Sequence, residues 1–203
     1  MVVVIDYGMG NLKSVLNAFS RLNADIVISS DPGVVRNAPV IVLPGVGAFG
    51  RCMENLEKRG LTAAIKGHIR DGKRYLGICL GMQILFESGD ETPGTPGLGI
   101  IKGTVPRFTG SMKVPHMGWN SVTLTKGSPM FNGIQTGDYF YFVHSYYCAP
   151  SDPGVIATTT DYGDPFVSSV ETANIFACQF HPEKSQALGL KLLRNFLDIA
   201  ADR

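Results

Sequence analysis

Three side chains in this sequence could share one piece of nucleophilic chemistry. Gly77-Ile78-Cys79-Leu80-Gly81 matches the G-x-S-x-G nucleophile elbow, with cysteine in place of serine. An apolar strand pattern over 74–78 precedes it and a helical pattern over 82–87 follows it. A sharp strand-to-helix turn forces its central residue into a strained backbone, and small neighbours are needed to avoid clashes. Cys79 would then stand exposed at the edge of a sheet, over a helix N-terminus. Backbone N–H groups and the helix dipole would stabilise negative charge there. The Leu80 amide would face a developing oxyanion. The competing reading is a buried thiol between two turn glycines. A thiol nucleophile usually works with a histidine, and there are four: His68, His116, His144 and His181. His68 falls on the apolar side of a helical pattern and reads as structural. His181 lies in Gln179-Phe180-His181-Pro182-Glu183. In an extended segment, residues two apart face the same way, so Glu183 would sit beside His181, with Pro182 stiffening the link. A carboxylate there fixes the imidazole tautomer and stabilises the imidazolium. The competing reading is a surface loop with an incidental ion pair.

Gly45-Val46-Gly47-Ala48-Phe49-Gly50 fits G-x-G-x-x-G, so a dinucleotide site must be weighed. That fingerprint belongs after the first strand of its fold, and here it follows about the third. The first strand leads instead into Gly8-Met9-Gly10-Asn11, which lacks the third glycine. No acidic residue ends a following strand at the required distance. An oxyanion loop is the better use: glycines around Val46 let a backbone N–H swing towards an acyl oxygen and complement Leu80.

Elements that could position these groups alternate through the first half. Val2–Ile5, 25–28, 40–43 and 74–78 read as strands; the helical spacing of Leu12, Val15, Leu16, Phe19 and Leu22, and of Leu61, Ala64, Ile65, His68 and Ile69, reads as helices. This alternation predicts βαβ units and a parallel sheet. Residues 92–99 read as a loop. Short strand patterns follow at 99–105, 119–124, 139–143, 155–160, 165–170 and 175–179, and an amphipathic helix closes the chain. The expectation is one α/β domain over 1–203, with a mostly parallel central sheet flanked by helices and a more antiparallel C-terminal half.

Composition narrows the classes. The chain has 203 residues, 18 Lys+Arg against 17 Asp+Glu, and 44% hydrophobic residues. Intrinsic disorder needs fewer apolar residues and more net charge, and a net charge of +1 makes no basic field for nucleic acid. No apolar run approaches the roughly 20 residues that cross a bilayer, and Met1 to Asp6 carries no basic leader. A soluble, cytoplasmic protein is expected. Cys52, Cys79, Cys148 and Cys178 show no C-x-x-C spacing, so reduced thiols and no metal site are expected.

Taken together, the loop at Pro44-Gly45-Val46-Gly47, the elbow Gly77-Ile78-Cys79-Leu80-Gly81-Met82-Gln83 and the segment His181-Pro182-Glu183 resemble the class I, triad-type glutamine amidotransferases. Four more segments narrow the resemblance to the glutaminase subunits of imidazole glycerol phosphate synthases: residues 5–12, 44–49, Pro115-His116-Met117-Gly118-Trp119-Asn120 and Tyr141-Phe142-Val143-His144-Ser145-Tyr146. The resemblance covers essentially the whole chain. It implies a flavodoxin-like fold and a Cys79–His181–Glu183 triad that hydrolyses glutamine, with Val46 and Leu80 forming the oxyanion hole. It places Gly47, Gln83, Glu91, His144, Ser145 and Tyr146 around glutamine, without a cofactor. It sets Asn11, Trp119, Tyr141 and Lys184 against a (βα)₈-barrel cyclase that makes imidazole glycerol phosphate and aminoimidazole carboxamide ribotide. An ammonia acceptor is expected on chemical grounds too, because free ammonia is mostly protonated at neutral pH and diffuses away. Trp119 suits an exposed hot spot there, or else the core. Rival readings are another class I amidotransferase subunit, a stand-alone cysteine hydrolase, and a non-catalytic binding module.

Overall fold

The computed structural model describes residues 1–201. The continuous apolar run Val2–Ile5 forms β1, buried at every position. Asn11 then caps α1 (Leu12–Arg21), its Oδ1 accepting the Ser14 N–H at 3.3 Å. Next come β2 (Ile26–Ser29), α2 (Pro32–Asn37) and β3 (Val40–Gly45). They are followed by α3 (Phe49–Lys58), α4 (Leu61–Arg70), β4 (Arg74–Cys79) and the single turn α5 (Leu80–Gln83). The second half supplies β5 (Ser88–Gly89), β6 (Gly103–Val105), β7 (His116–Ser121), β8 (Thr123–Leu124) and β9 (Tyr139–His144). It ends with β10 (Ala149–Pro150), β11 (Ile156–Tyr162), β12 (Asp164–Glu171), β13 (Ile175–Cys178) and α6 (Gln186–Ala201).

The main sheet has the order β2-β1-β3-β4-β13-β12-β11-β8. From β2 through β13 neighbours run parallel; beyond β13 they run antiparallel. The mostly parallel sheet with an antiparallel C-terminal extension is therefore as expected. The late strand β13 sits in the middle of the sheet, between β4 and β12. A smaller sheet, β10-β6-β5, and the ribbon β7–β9 form separate hydrogen-bonded sheets.

Side chains of the parallel strands alternate between two cores, as a pleat with period two requires. Val3, Ile5, Ile41 and Leu43 join one core with Val35, Leu56 and Ile65 of the helices on that face. Val2, Val4, Val40, Val42, Leu76 and Ile78 join the other, against Val15 and Phe19 of α1 and Leu192 and Phe196 of α6.

Four local expectations are corrected. The helix expected over 82–87 is only the turn α5, which begins two residues earlier in the chain. Beyond it, the carbonyls of Ile84, Leu85, Phe86 and Glu87 accept N–H groups from 97–101, so they cannot support a continuing helix. The strand expected over 99–105 shortens to β6 for the same reason, since residues 97–101 are spent on those carbonyls. The run 119–124 divides at Val122, whose N–H turns to the Asp138 carbonyl. The segment carrying His181 and Glu183 is not extended: residues Pro182–Lys184 form a 3₁₀ turn.

Candidate active site

Cys79 ends β4 at φ +53° and ψ −105°, a conformation that non-glycine residues rarely adopt. Its neighbours explain how the turn fits. A Cβ on Gly77 would lie 2.5 Å from the Gly81 carbonyl oxygen, and one on Gly81 would lie 1.9 Å from the Leu43 carbonyl oxygen. The buried Tyr75 hydroxyl donates to the Gly81 carbonyl at 2.6 Å and pins the turn from below. Because α5 is one turn long, local N–H groups rather than a macrodipole would act on an anion at Cys79.

Parallel pairing of β4 with β13 sets Ala177 beside Gly77 and Cys178 beside Ile78. The chain leaving β13 therefore passes Cys79. Gln179 and His181 both reach the thiol, while Phe180 between them turns into the core. His181 Nδ1 and Glu183 Oε1 are 2.8 Å apart, with both side chains buried. The other ring nitrogen is buried without a well-aligned partner, while the Cys79 sulfur lies close enough to interact with the ring. Burial alone disfavours imidazolium; Cys79 and Glu183 outweigh it and raise the His181 pKa well above the ordinary range. Such an arrangement can hold a proton on the imidazole and deliver it to a leaving group above the sulfur.

Cys79 opens into a cleft of about 360 Å³, within the range of small-molecule sites. Val46, Gly47, Leu80, Gln83, Glu91, His144, Ser145 and Tyr146 all line it, so each expected oxyanion or glutamine-binding residue is brought to Cys79. Gly47 needs its lack of a side chain, since its φ is +106° and a Cβ would meet Met9 at 2.5 Å. Glu91 also has a structural duty: its Oε2 accepts the Phe49 N–H at 2.7 Å and caps α3, which has no side-chain cap of its own. Among the described residues no cluster of His, Cys, Asp and Glu could hold a metal ion, and no helix is long and apolar enough to cross a membrane.

The family description "Glutamine amidotransferase class-I" matches residues 3–200. The chain is 53% identical over 195 residues to the imidazole glycerol phosphate synthase subunit HisH of Aquifex aeolicus, covering 96% of this chain and 94% of that one. The same-named subunit of Methanothermobacter thermautotrophicus is 50% identical over 199 residues, covering 98% of both. The chain belongs to the class-I glutamine amidotransferases. Within them it falls in the HisH family of imidazole glycerol phosphate synthase subunits. A crystal structure of a glutamine amidotransferase superposes with a TM-score of 0.78 at 19% identity, over 99% of this chain and 100% of that one, and supports the fold.

In this amidotransferase a buried chain of hydrogen bonds stands behind the cleft, and sequence reasoning missed most of it. Antiparallel pairing of β7 with β9 sets His116 opposite His144. His116 Nδ1 and His144 Nε2 are 2.9 Å apart. His144 Nδ1 lies 2.8 Å from the Tyr146 carbonyl oxygen, and Asn120 Nδ2 lies 3.2 Å from His116 Nε2. A carbonyl only accepts, and the same Asn120 nitrogen donates to the Asp161 carbonyl at 2.8 Å. Both rings are therefore neutral, each with its proton on Nδ1. Stacking on Phe142 and Tyr162 holds His116 in place.

Burial lowers the pKa of His116 to about 4 and that of His144 to about 3. The unfolded chain takes up these protons near pH 6.5, so it binds more protons than the native state below that pH. Their contribution to stability is complete above pH 6.5 and is lost as the pH falls towards 4 and then 3. The urea midpoint should drop across this window, each histidine contributing up to about 1.4 kcal/mol per pH unit. His116→Asn should flatten that slope, and an unchanged slope would refute this account.

Trp119 is 46% exposed, which excludes a core role. Its ring meets Tyr141 edge-on at 6.2 Å, and Lys184 Nζ lies 5.8 Å from the Tyr141 ring centroid. Asn11 caps α1, which packs against the Pro182–Lys184 turn. His68 is buried and its Nε2 lies 2.9 Å from the Arg74 carbonyl oxygen, a structural contact.

Proposed function

We propose that this chain hydrolyses glutamine to glutamate and ammonia as the glutaminase subunit of an imidazole glycerol phosphate synthase, in histidine biosynthesis. The observation that carries the reading is Cys79, strained at the floor of a ligand-sized cleft, with the buried His181–Glu183 pair behind it. Cys79 Sγ attacks the side-chain amide carbon of glutamine. The amide oxygen takes the negative charge, received by the Leu80 N–H and by a Val46 N–H when the glycine-flanked loop turns it inward. The C–N bond breaks as His181 passes its proton to the leaving nitrogen, and ammonia departs from a thioester. His181 then takes a proton from water, the resulting hydroxide attacks the thioester, and the thiolate leaves with glutamate. Glu183 keeps the ring oriented throughout. Gly47, Gln83, Glu91, His144, Ser145 and Tyr146 surround the amino-acid end.

The 203 residues act as one glutaminase domain in the cytoplasm, without a cofactor. The ammonia acceptor is a (βα)₈-barrel cyclase docked on the Asn11, Trp119, Tyr141 and Lys184 face as a heterodimer. That cyclase forms imidazole glycerol phosphate and aminoimidazole carboxamide ribotide. Exposed Trp119, with half-buried Tyr141 beside it and Lys184 over the Tyr141 ring, supports this placement. The test is glutamate release by the chain alone, with cyclase, and with cyclase plus its nucleotide ligand. Near silence alone and strong stimulation in the full mixture are expected. Full activity alone, indifferent to both additions, would place the chain among other amidotransferases or free-standing hydrolases.

A further inference from the structure

Gln179 is fully buried beside Cys79, yet none of the proton steps above uses it. Its Nε2 lies 3.4 Å from Cys79 Sγ, and its Oε1 lies 3.0 Å from Gln83 Nε2. The two ends of a side-chain amide have nearly the same shape, so its orientation must come from its partners. Here the partners leave one choice. The Tyr146 carbonyl can only accept, so Gln83 turns its NH₂ towards it, at 3.1 Å. The second N–H of that group reaches Gln179, which must therefore present its oxygen. The Gln179 NH₂ is left aimed at the sulfur. His144 donates into the same Tyr146 carbonyl, and His116 behind it fixes the His144 tautomer, so the acceptor that starts this sequence is itself held in place. The Gln179 backbone N–H bonds separately to the Ser168 carbonyl, so tying down the strand end does not need the side chain.

We propose that Gln179 is a positioning residue: its amide N–H, aimed through Gln83 by the Tyr146 carbonyl, holds the Cys79 sulfur in place for attack and stabilises its anion. Its catalytic meaning rests on the glutaminase reading; the hydrogen bond to sulfur does not. His181, from the segment after β13, completes a cradle in which two side chains of one segment face the thiol. The remaining titratable groups around Cys79 are Glu91, His144 and Tyr146 across the cleft, Glu183 behind His181, and the buried Tyr7, Cys148 and Cys178. None of them changes in the variants below.

The test follows alkylation of Cys79 by iodoacetamide, located by mass spectrometry, from about pH 6 to 10. Cys52, Cys148 and Cys178 are fully buried, and Cys79→Ser supplies the blank. Gln179→Met keeps the length of the side chain and removes the donor. It should slow alkylation about tenfold at neutral pH, the worth of a weak charge-assisted hydrogen bond. The rate should return to the wild-type value at alkaline pH as the midpoint moves up. Gln179→Glu accepts from Gln83 but gives the sulfur no donor and adds a charge, so its midpoint should move further. Thermal melts confirm folding; if the Glu variant does not fold, the Met variant decides alone. In glutamine hydrolysis with cyclase, Gln179→Met should lower kcat and leave KM nearly unchanged. An unmoved midpoint, or a rate depressed equally at every pH, overturns the proposal, because simple packing would do only that. A wild-type chain that alkylates normally but hydrolyses no glutamine with cyclase would overturn the glutaminase reading instead, and the alkylation comparison would still decide the role of Gln179.

Discussion

Replacing Cys79 by alanine should lower glutamine hydrolysis by at least about 10⁴-fold, since the attacking atom of a triad has no substitute in the site. The variant should stay folded. Alanine keeps the Cβ and adopts the same backbone at φ +53°, so the strain is unchanged and only a buried sulfur is lost. Glutamate release with cyclase present measures the first claim, and a thermal melt the second. Turnover within tenfold of wild type would sink the assignment of Cys79 as nucleophile. Cys79→Gly gives an independent reading of the strain. At an ordinary strand position glycine costs about 0.5–1 kcal/mol relative to alanine. Here it relieves a conformation that costs side-chain-bearing residues on the order of 1–3 kcal/mol. Cys79→Gly should therefore melt no lower than Cys79→Ala while being equally inactive.

Gly81→Ala should be the most damaging small change for stability. Its Cβ would lie 1.9 Å from the Leu43 carbonyl oxygen, and the backbone in the centre of the molecule fixes the position of both atoms. Neither can move as a side chain would, so β3 and the Cys79 turn must separate. A loss of about 3–5 kcal/mol is expected, at the upper end for point changes. For a chain of this size that lowers Tm by roughly 10 °C. Gly127→Ala is the control: its Cβ would meet nothing within 4 Å, and its backbone is not left-handed. It should shift stability by less than about 0.5 kcal/mol. Equal melting temperatures for the two variants would show that close approach of β3 does not shape the turn.

The parallel half of the fold is legible in the sequence because β1 and β3 are buried along their whole length and read as unbroken apolar runs. The strained cysteine turn is legible too, since only small residues fit at Gly77 and Gly81. The six-residue α2 is too short to show a helical period; its only signal is the Asp31-Pro32 start, with Asp31 Oδ1 accepting the Val34 N–H. The 82–87 error has another cause. Apolar periodicity there reflects burial against several elements, and the competing hydrogen bonds come from a segment ten or more residues away. His181 and Glu183 meet as expected, although through a 3₁₀ turn instead of an extended strand. Gln179 gave no chemical signal of its own. The available clue was its place two residues before His181, on the opposite side of Phe180. The His116–His144 contact depends on the register of β7 with β9, which no local pattern encodes.

The central place of β13 also governs when reactivity can arise. Gln179 lies 100 residues beyond Cys79, and His181 further still. A polypeptide emerging from the ribosome presents the thiol long before its partners exist, and until β13 inserts, one edge of β4 has nothing to pair with. Fragments released early from translation, or cut before β13 by a protease, carry Cys79 without the Gln179 and His181 side chains that enclose it.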